Sequence, residues 1–254
     1  MRFSLVGLWP LLLIAAPAAA SPGRPLVAII DSGVARTAEL APLLVAEYDL
    51  GVEGRRPAFA PSHDHGTMVA TILARETHGR VRILSFRIDD EAGCPAGSTP
   101  PCQRDPARIE RAIRRATRLD VDAINISLTL SNDPGIVDAI HDAAERGIIV
   151  VLAAGNDGLD RPGNLSLARA AFPWAILVGA LDATGAPWAG TNRPETNPEG
   201  YHYAWQPGVD VPTATATGAA AIATGTSFAA PIETARLLRQ RRETASTSAY
   251  TALR

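Results

Sequence analysis

Apolar residues are concentrated in short, nearly unbroken runs separated by amphipathic stretches. Leu26-Val27-Ala28-Ile29-Ile30 and Ile148-Ile149-Val150-Val151-Leu152 are rich in β-branched residues and show no alternation. That pattern predicts strands buried on both faces, as in a parallel sheet. Residues 81–86, 121–128 and 175–180 read as further strands. Between them, 106–119 places Ile109, Ala112, Ile113, Ala116 and Leu119 at helical spacing, with Arg108, Arg111, Arg115 and Arg118 on the other face. Asp133-Pro134 opens a helix that Gly147 closes, matching cap preferences at both ends. Small and apolar residues from Gly66 onward suit a buried helix with His65 at its start, and Ser227 opens another that reaches about Arg242. Pro231 falls near that helix's start, where a missing N–H does least harm. Strand and helix alternate throughout, so the fold class is α/β, with a mostly parallel central sheet covered by helices on both faces. Residues 184–207 are turn-rich and carry no clear element, and 213–226 is a low-complexity Ala/Thr/Gly stretch.

The ends of the chain alter this picture. Residues 1–20 have an arginine near the start, an apolar run and the small residues Ala18-Ala19-Ala20, the pattern of a cleavable signal peptide. An exported protein, secreted or periplasmic, is expected, with a membrane anchor the lesser alternative. One domain over 21–242 follows, and 243–254 offers little core and is expected to be a mobile tail. The net charge of −2 gives no basic face for nucleic acid, and the solvated side of a helix accounts for the arginines of 106–119. The chain contains no lysine, which excludes a lysine base or Schiff-base chemistry. Its two cysteines, Cys94 and Cys102, share one Gly/Pro-rich loop. In an exported chain a local disulfide is expected over two free thiols, and two cysteines are too few for a zinc site.

Candidate chemistry lies at the ends of the apolar elements. Asp31 closes the first strand before Gly33, where a turn-forming aspartate and a functional one are equally good readings. His63-Asp64-His65 invites a metal reading, but no further His/Cys cluster completes a ligand set, and no metal or cofactor is expected. Asn156 follows the buried strand 148–152 through Ala153, Ala154 and Gly155. Taken alone, Ser227 is an ordinary N-cap. Taken with Asp31 and His65, it is a serine in need of a base, beside an imidazole in need of an orienting carboxylate.

Ile29-Ile30-Asp31-Ser32-Gly33-Val34, His65-Gly66-Thr67-Met68-Val69-Ala70, Ala153-Ala154-Gly155-Asn156 and Gly225-Thr226-Ser227-Phe228-Ala229-Ala230-Pro231 resemble, in this order, the four signature blocks of subtilisin-like serine peptidases. The resemblance covers roughly 26–238 and implies a three-layer α/β/α subtilisin-like fold. By this similarity Asp31 orients, His65 is general base and acid, Ser227 is the nucleophile and Asn156 donates to the oxyanion. His65, and not His63, precedes the Gly-Thr of the motif. Ser127, Leu128 and Thr129, with Ala154 and Gly155, are implied to bind an extended polypeptide substrate as an added strand. The implied activity is an exported serine endopeptidase acting through an acyl-enzyme, and the alternative is a catalytically weak or inactive peptide-binding homologue. Three departures stand out. Few residues precede the first strand, so no propeptide is expected, and folding proceeds unaided or with a separate helper. Thr129 replaces the family's usual glycine and is expected to narrow the pocket for the P1 side chain, that of the residue whose carbonyl is attacked. The loop holding Cys94 and Cys102 is longer than usual and is expected to border the cleft. No acidic cluster matches a calcium loop, and a monomer is expected.

Overall fold

The computed structural model describes residues 23–90, 93–95 and 101–252. Segment 1–20, expected to be a signal peptide, and part of the cysteine loop therefore lie outside the described residues. Fourteen elements follow one another: β1 (Leu26–Asp31), β2 (Leu44–Asp49), α1 (His65–Glu76), β3 (Arg82–Arg87), α2 (Pro106–Arg118), β4 (Ala123–Ile126), α3 (Pro134–Glu145), β5 (Ile149–Ala153), α4 (Leu165–Ala170), β6 (Ala175–Leu181), β7 (His202–Pro207), β8 (Val211–Ala214), β9 (Ala220–Ala223) and α5 (Thr226–Ala252).

Seven strands form one sheet in the order β2-β3-β1-β4-β5-β6-β7, and every neighbouring pair is parallel. Alternate residues of each inner strand feed two cores. Ala28 and Ile30 of β1 join the buried faces of α2 and α3, while Val27 and Ile29 join α1 and α5. This is the three-layer α/β/α arrangement expected from the alternating pattern. No helix among the described residues is long and apolar enough to cross a membrane.

The chain leaves β1 for the edge strand β2, fills the gap between them with β3, and then crosses to β4 on the other side of β1. The carboxyl ends of β1 and β4 thus flank the point where strand order reverses, the place at which open α/β sheets form their crevices. Asp31 ends β1, and Ser127 follows β4 directly.

Several elements differ from the sequence expectation. β2 and β7 have only short apolar stretches, because they are the two edge strands and their residues are mostly half-exposed. The low-complexity stretch forms β9, which pairs antiparallel with β8 as a separate hairpin. The short α4 follows Asn164, whose φ is +57°. Helix α5 continues past Arg242 to Ala252, since no Pro or Gly interrupts 232–252. β4 ends at Ile126, two residues before its expected end, because its pairing with β5 ends there.

Candidate active site

Helix α1 starts hard against the end of β1. A Cβ on Gly66 would come within 2.3 Å of the Gly33 carbonyl, so only glycine permits this approach. The closeness brings His65, the first residue of α1, onto Asp31. His65 Nδ1 lies 2.8 and 2.9 Å from the two Asp31 carboxylate oxygens. Asp31 is fully buried, and its Oδ1 also accepts from the Ser32 N–H at 2.7 Å. The Ser32 hydroxyl accepts from the Gly66 N–H and donates to the His63 carbonyl, tying the strand end to the helix start. Burial pulls the His65 pKa down, but the charge and hydrogen bond of Asp31 outweigh it and hold the imidazole above its ordinary value. Asp64 faces elsewhere: its Oδ1 accepts from the Ala216 N–H of the β8–β9 hairpin. Among the described residues no group of three or more His, Cys, Asp or Glu side chains could hold a metal ion.

Ser227 lies in the first turn of α5, where backbone N–H groups have no intrahelical acceptor. Its side chain is held from β4. The Ser227 hydroxyl donates to the Ser127 carbonyl at 2.8 Å, and the Ser127 hydroxyl donates back to the Ser227 carbonyl at 2.8 Å. Pro231 accounts for the second bond. Four residues on from Ser227, it has no N–H to offer that carbonyl, which is left to an outside donor. The tie continues inward, as Asn125 Nδ2 donates to the Ser127 hydroxyl and the Thr234 hydroxyl donates to Asn125 Oδ1. Every polar side chain in this buried chain is paired, which makes it a rigid brace between β4 and α5. Ser227 therefore makes its hydrogen bond to Ser127, not to His65, although both side chains line one cleft of about 850 Å³. The Phe228 ring packs 5.4 Å from that of His65.

Asn156 completes the set on the β5 side. Its Oδ1 accepts from both the N–H and the hydroxyl of Thr226, each at 2.9 Å. With the oxygen fixed in this way, Nδ2 has no acceptor among the described residues and lies beside Gly225 on the cleft. The Thr226 hydroxyl also accepts from the Gly155 N–H. Gly155 has φ +103°, and a Cβ there would meet Asn192 Nδ2 at 2.3 Å. Asn192 in turn accepts from the N–H groups of Asp157 and Leu159, and its own N–H donates to the Gly155 carbonyl.

The structure thus brings Asp31 and His65 into contact and sets Ser227, Asn156, Ser127, Leu128 and Thr129 along the same cleft. Ala154 and Gly155 are buried behind Asn156. Cys94 and Cys102 are bridged, with Cα atoms 5.2 Å apart, and Pro95, Pro101, Cys102 and Arg104 line the cleft as expected of that loop. Sequence reasoning missed Thr226, Asn125 and Asn192. Thr226 lay inside a quoted motif, and only its place between Gly155 and Asn156 shows its use. Asn125 heads the stretch Asn125-Ile126-Ser127-Leu128, which resembles the family's substrate-binding strand, but nothing there gave it a role, and no pattern marked Asn192.

The chain is similar to known proteins. A "Subtilisin-like protease 2" of Trichophyton verrucosum is 31% identical over 172 residues, which cover 66% of this chain and 38% of that protein. Its counterpart in Arthroderma otae is 30% identical over the same length and with the same coverage. The matched part of the chain thus spans well under half the length of these curated relatives. Among solved structures, a cold-adapted subtilisin-like serine proteinase superposes with a TM-score of 0.67 at 19% identity, covering 85% of this chain and 75% of that one. The prenylagaramide maturation protease PagA gives 0.62 at 23%, covering 83% and 72%. At these identities the likeness is one of fold. A model of the subtilase family matches residues 23–244. With that match over most of its length, the chain belongs to the subtilase family.

Proposed function

We propose that this chain is a serine endopeptidase that cleaves polypeptides through an acyl-enzyme on Ser227. The observation that carries the reading is the buried Asp31 carboxylate holding His65 Nδ1 on the cleft shared by Ser227 and Asn156. With Nδ1–H donated to Asp31, Nε2 is the basic nitrogen. The Ser227 hydroxyl exchanges its bond to the Ser127 carbonyl for one to His65 Nε2, loses its proton there, and its oxygen adds to the scissile carbonyl carbon. The charge that develops on the carbonyl oxygen is met by Asn156 Nδ2 and the Ser227 N–H, donors fixed before the reaction begins. Collapse breaks the C–N bond, and the amine leaves with the proton held by His65. Water, deprotonated by the same nitrogen, then releases the acyl group and restores Ser227. The substrate lies extended beside Ser127, Leu128 and Thr129. Export of the chain is part of the proposal and is supported by the signal-type segment 1–20 and the Cys94–Cys102 bridge.

The test is labelling by a fluorophosphonate probe together with peptide cleavage by the purified chain. Ser227 is expected to be the labelled residue, and Ser227→Ala to lose both label and turnover. Peptide binding without turnover, identical in wild type and Ser227→Ala, would sink the reading in favour of an inactive homologue.

A further inference from the structure

Strands β4 and β5 run side by side as far as Ile126 and Leu152. Beyond that pair the chains part into a fork, with Ser127 to Leu130 as one prong and Ala153 to Asn156 as the other. Ser227 sits at its mouth, with its hydroxyl on the Ser127 carbonyl and the preceding Thr226 on Asn156. A carbonyl carbon attacked by Ser227, with its oxygen at Asn156, lies between the prongs. The P1 side chain, on the acyl side of that carbon, points into the fork.

The fork is filled. Asn164, 5% exposed, sends its amide between the prongs. Its Nδ2 donates to the Leu128 carbonyl at 2.7 Å and to the Ala153 carbonyl at 3.0 Å, and its Oδ1 accepts from the Leu130 N–H at 2.8 Å. The Gly163 N–H donates to the Ala154 carbonyl at 2.6 Å, so backbone also crosses the base. Ala154 is fully buried. From the other prong, the Thr129 methyl reaches to 3.6 Å from where a Cβ on Gly163 would stand. A large P1 side chain would have to displace a buried amide that makes three hydrogen bonds, each costly to leave unmade. A charged one would find the wall carbonyls of Leu128 and Ala153 already paired. The carboxylate lining the cleft, Asp157, is exposed and already accepts from Asn192 Nδ2 at 3.2 Å.

Resting on the reading of Ser227 as nucleophile, we propose that this enzyme cleaves only after small uncharged residues, Gly, Ala or Ser, and that Thr129 and Asn164 set this limit.

Purified full chain, presented with peptides differing only at P1, tests the proposal, with fluorophosphonate labelling run on the same preparation. Cleavage after Gly, Ala or Ser is expected to exceed that after Leu, Phe or Arg by roughly a hundredfold in kcat/KM, within the range that pocket fit supplies. Thr129 is exposed, so its truncation leaves the core intact. Thr129→Gly is expected to raise Leu and Phe relative to Ala by roughly tenfold. Thr129→Val, which keeps the methyl groups, is expected to retain the wild-type discrimination. Labelled wild type that cleaves after Phe or Arg as fast as after Ala overturns the proposal and leaves the nucleophile standing. So does a labelled Thr129→Gly with an unchanged Phe-to-Ala ratio. Wild type that neither labels nor cleaves brings down the peptidase reading and this proposal with it.

Discussion

The two sides of the cleft are held together by different physics. On one side, Asp31 and His65 are 34 residues apart in sequence and meet through a charged, buried contact at the junction of β1 and α1. On the other, Ser227 is tied to Ser127, 100 residues away, and Thr226 to Asn156, 70 residues away, by neutral hydrogen bonds. The first side sets a protonation state. The second sets distances, and it holds the Ser227 hydroxyl on the Ser127 carbonyl and not on His65. Changes on the first side should therefore move the pH dependence, and changes on the second should lower the rate without moving it.

Removing the charge is the harshest test of this contrast. Asp31→Asn is expected to lower kcat by roughly ten-thousandfold, because the amide presents the wrong hydrogen-bonding partner to His65 and no longer stabilises the imidazolium. Near-wild-type turnover would mean that the contact is structural only. Next comes Asn156→Ala, expected to cost roughly a hundred- to a thousandfold in kcat with KM little changed. A loss below tenfold would argue that its Nδ2 does not meet the developing charge. A subtler change is Thr226→Val, which keeps the shape but removes the hydroxyl shared by Gly155 and Asn156. One neutral hydrogen bond is worth about 1 kcal/mol, so a loss of about fivefold in kcat is expected, with the pH profile unmoved.

The smallest effect is a displacement along the pH axis. The base must be neutral, and its folded-state pKa is raised, so kcat/KM should climb with pH through a midpoint above that of ordinary histidine. Stability runs the other way. The protonated His65 contributes its full stabilisation below the unfolded-state pKa and loses it as pH rises through the raised folded value. Activity and thermal midpoint measured across that window should cross. An activity midpoint at or below the ordinary histidine value would break the assignment of His65 as base.

Much of the fold is legible in the chain because the five inner strands are buried on both faces and must be apolar almost throughout. The edge strands β2 and β7 escape notice for the complementary reason: half-exposed residues satisfy an edge whatever their polarity, and pairing with β3 and β6 makes them strands. The site divides similarly. Asp31, His65, Asn156 and Ser227 stand where apolar elements begin or end, so the pattern that marks the elements also marks these residues.

The supporting residues have no such marker. Asn125, Asn164 and Asn192 are single polar letters, and the longest of their bonds in sequence reach 109, 36 and 37 residues along the chain. A buried amide is defined by which backbone groups surround it, and those come together only when strands and helices pack. By itself, then, the sequence determined the layered α/β fold and the family, and it singled out the four groups proposed to carry acyl transfer. Only the tertiary structure decided that Pro231 frees the Ser227 carbonyl for Ser127, that Thr226 turns Asn156 toward the cleft, and that Asn164 fills the fork between β4 and β5. Periodicity records whether a position faces water or core, and it carries no information about which polar groups will meet there.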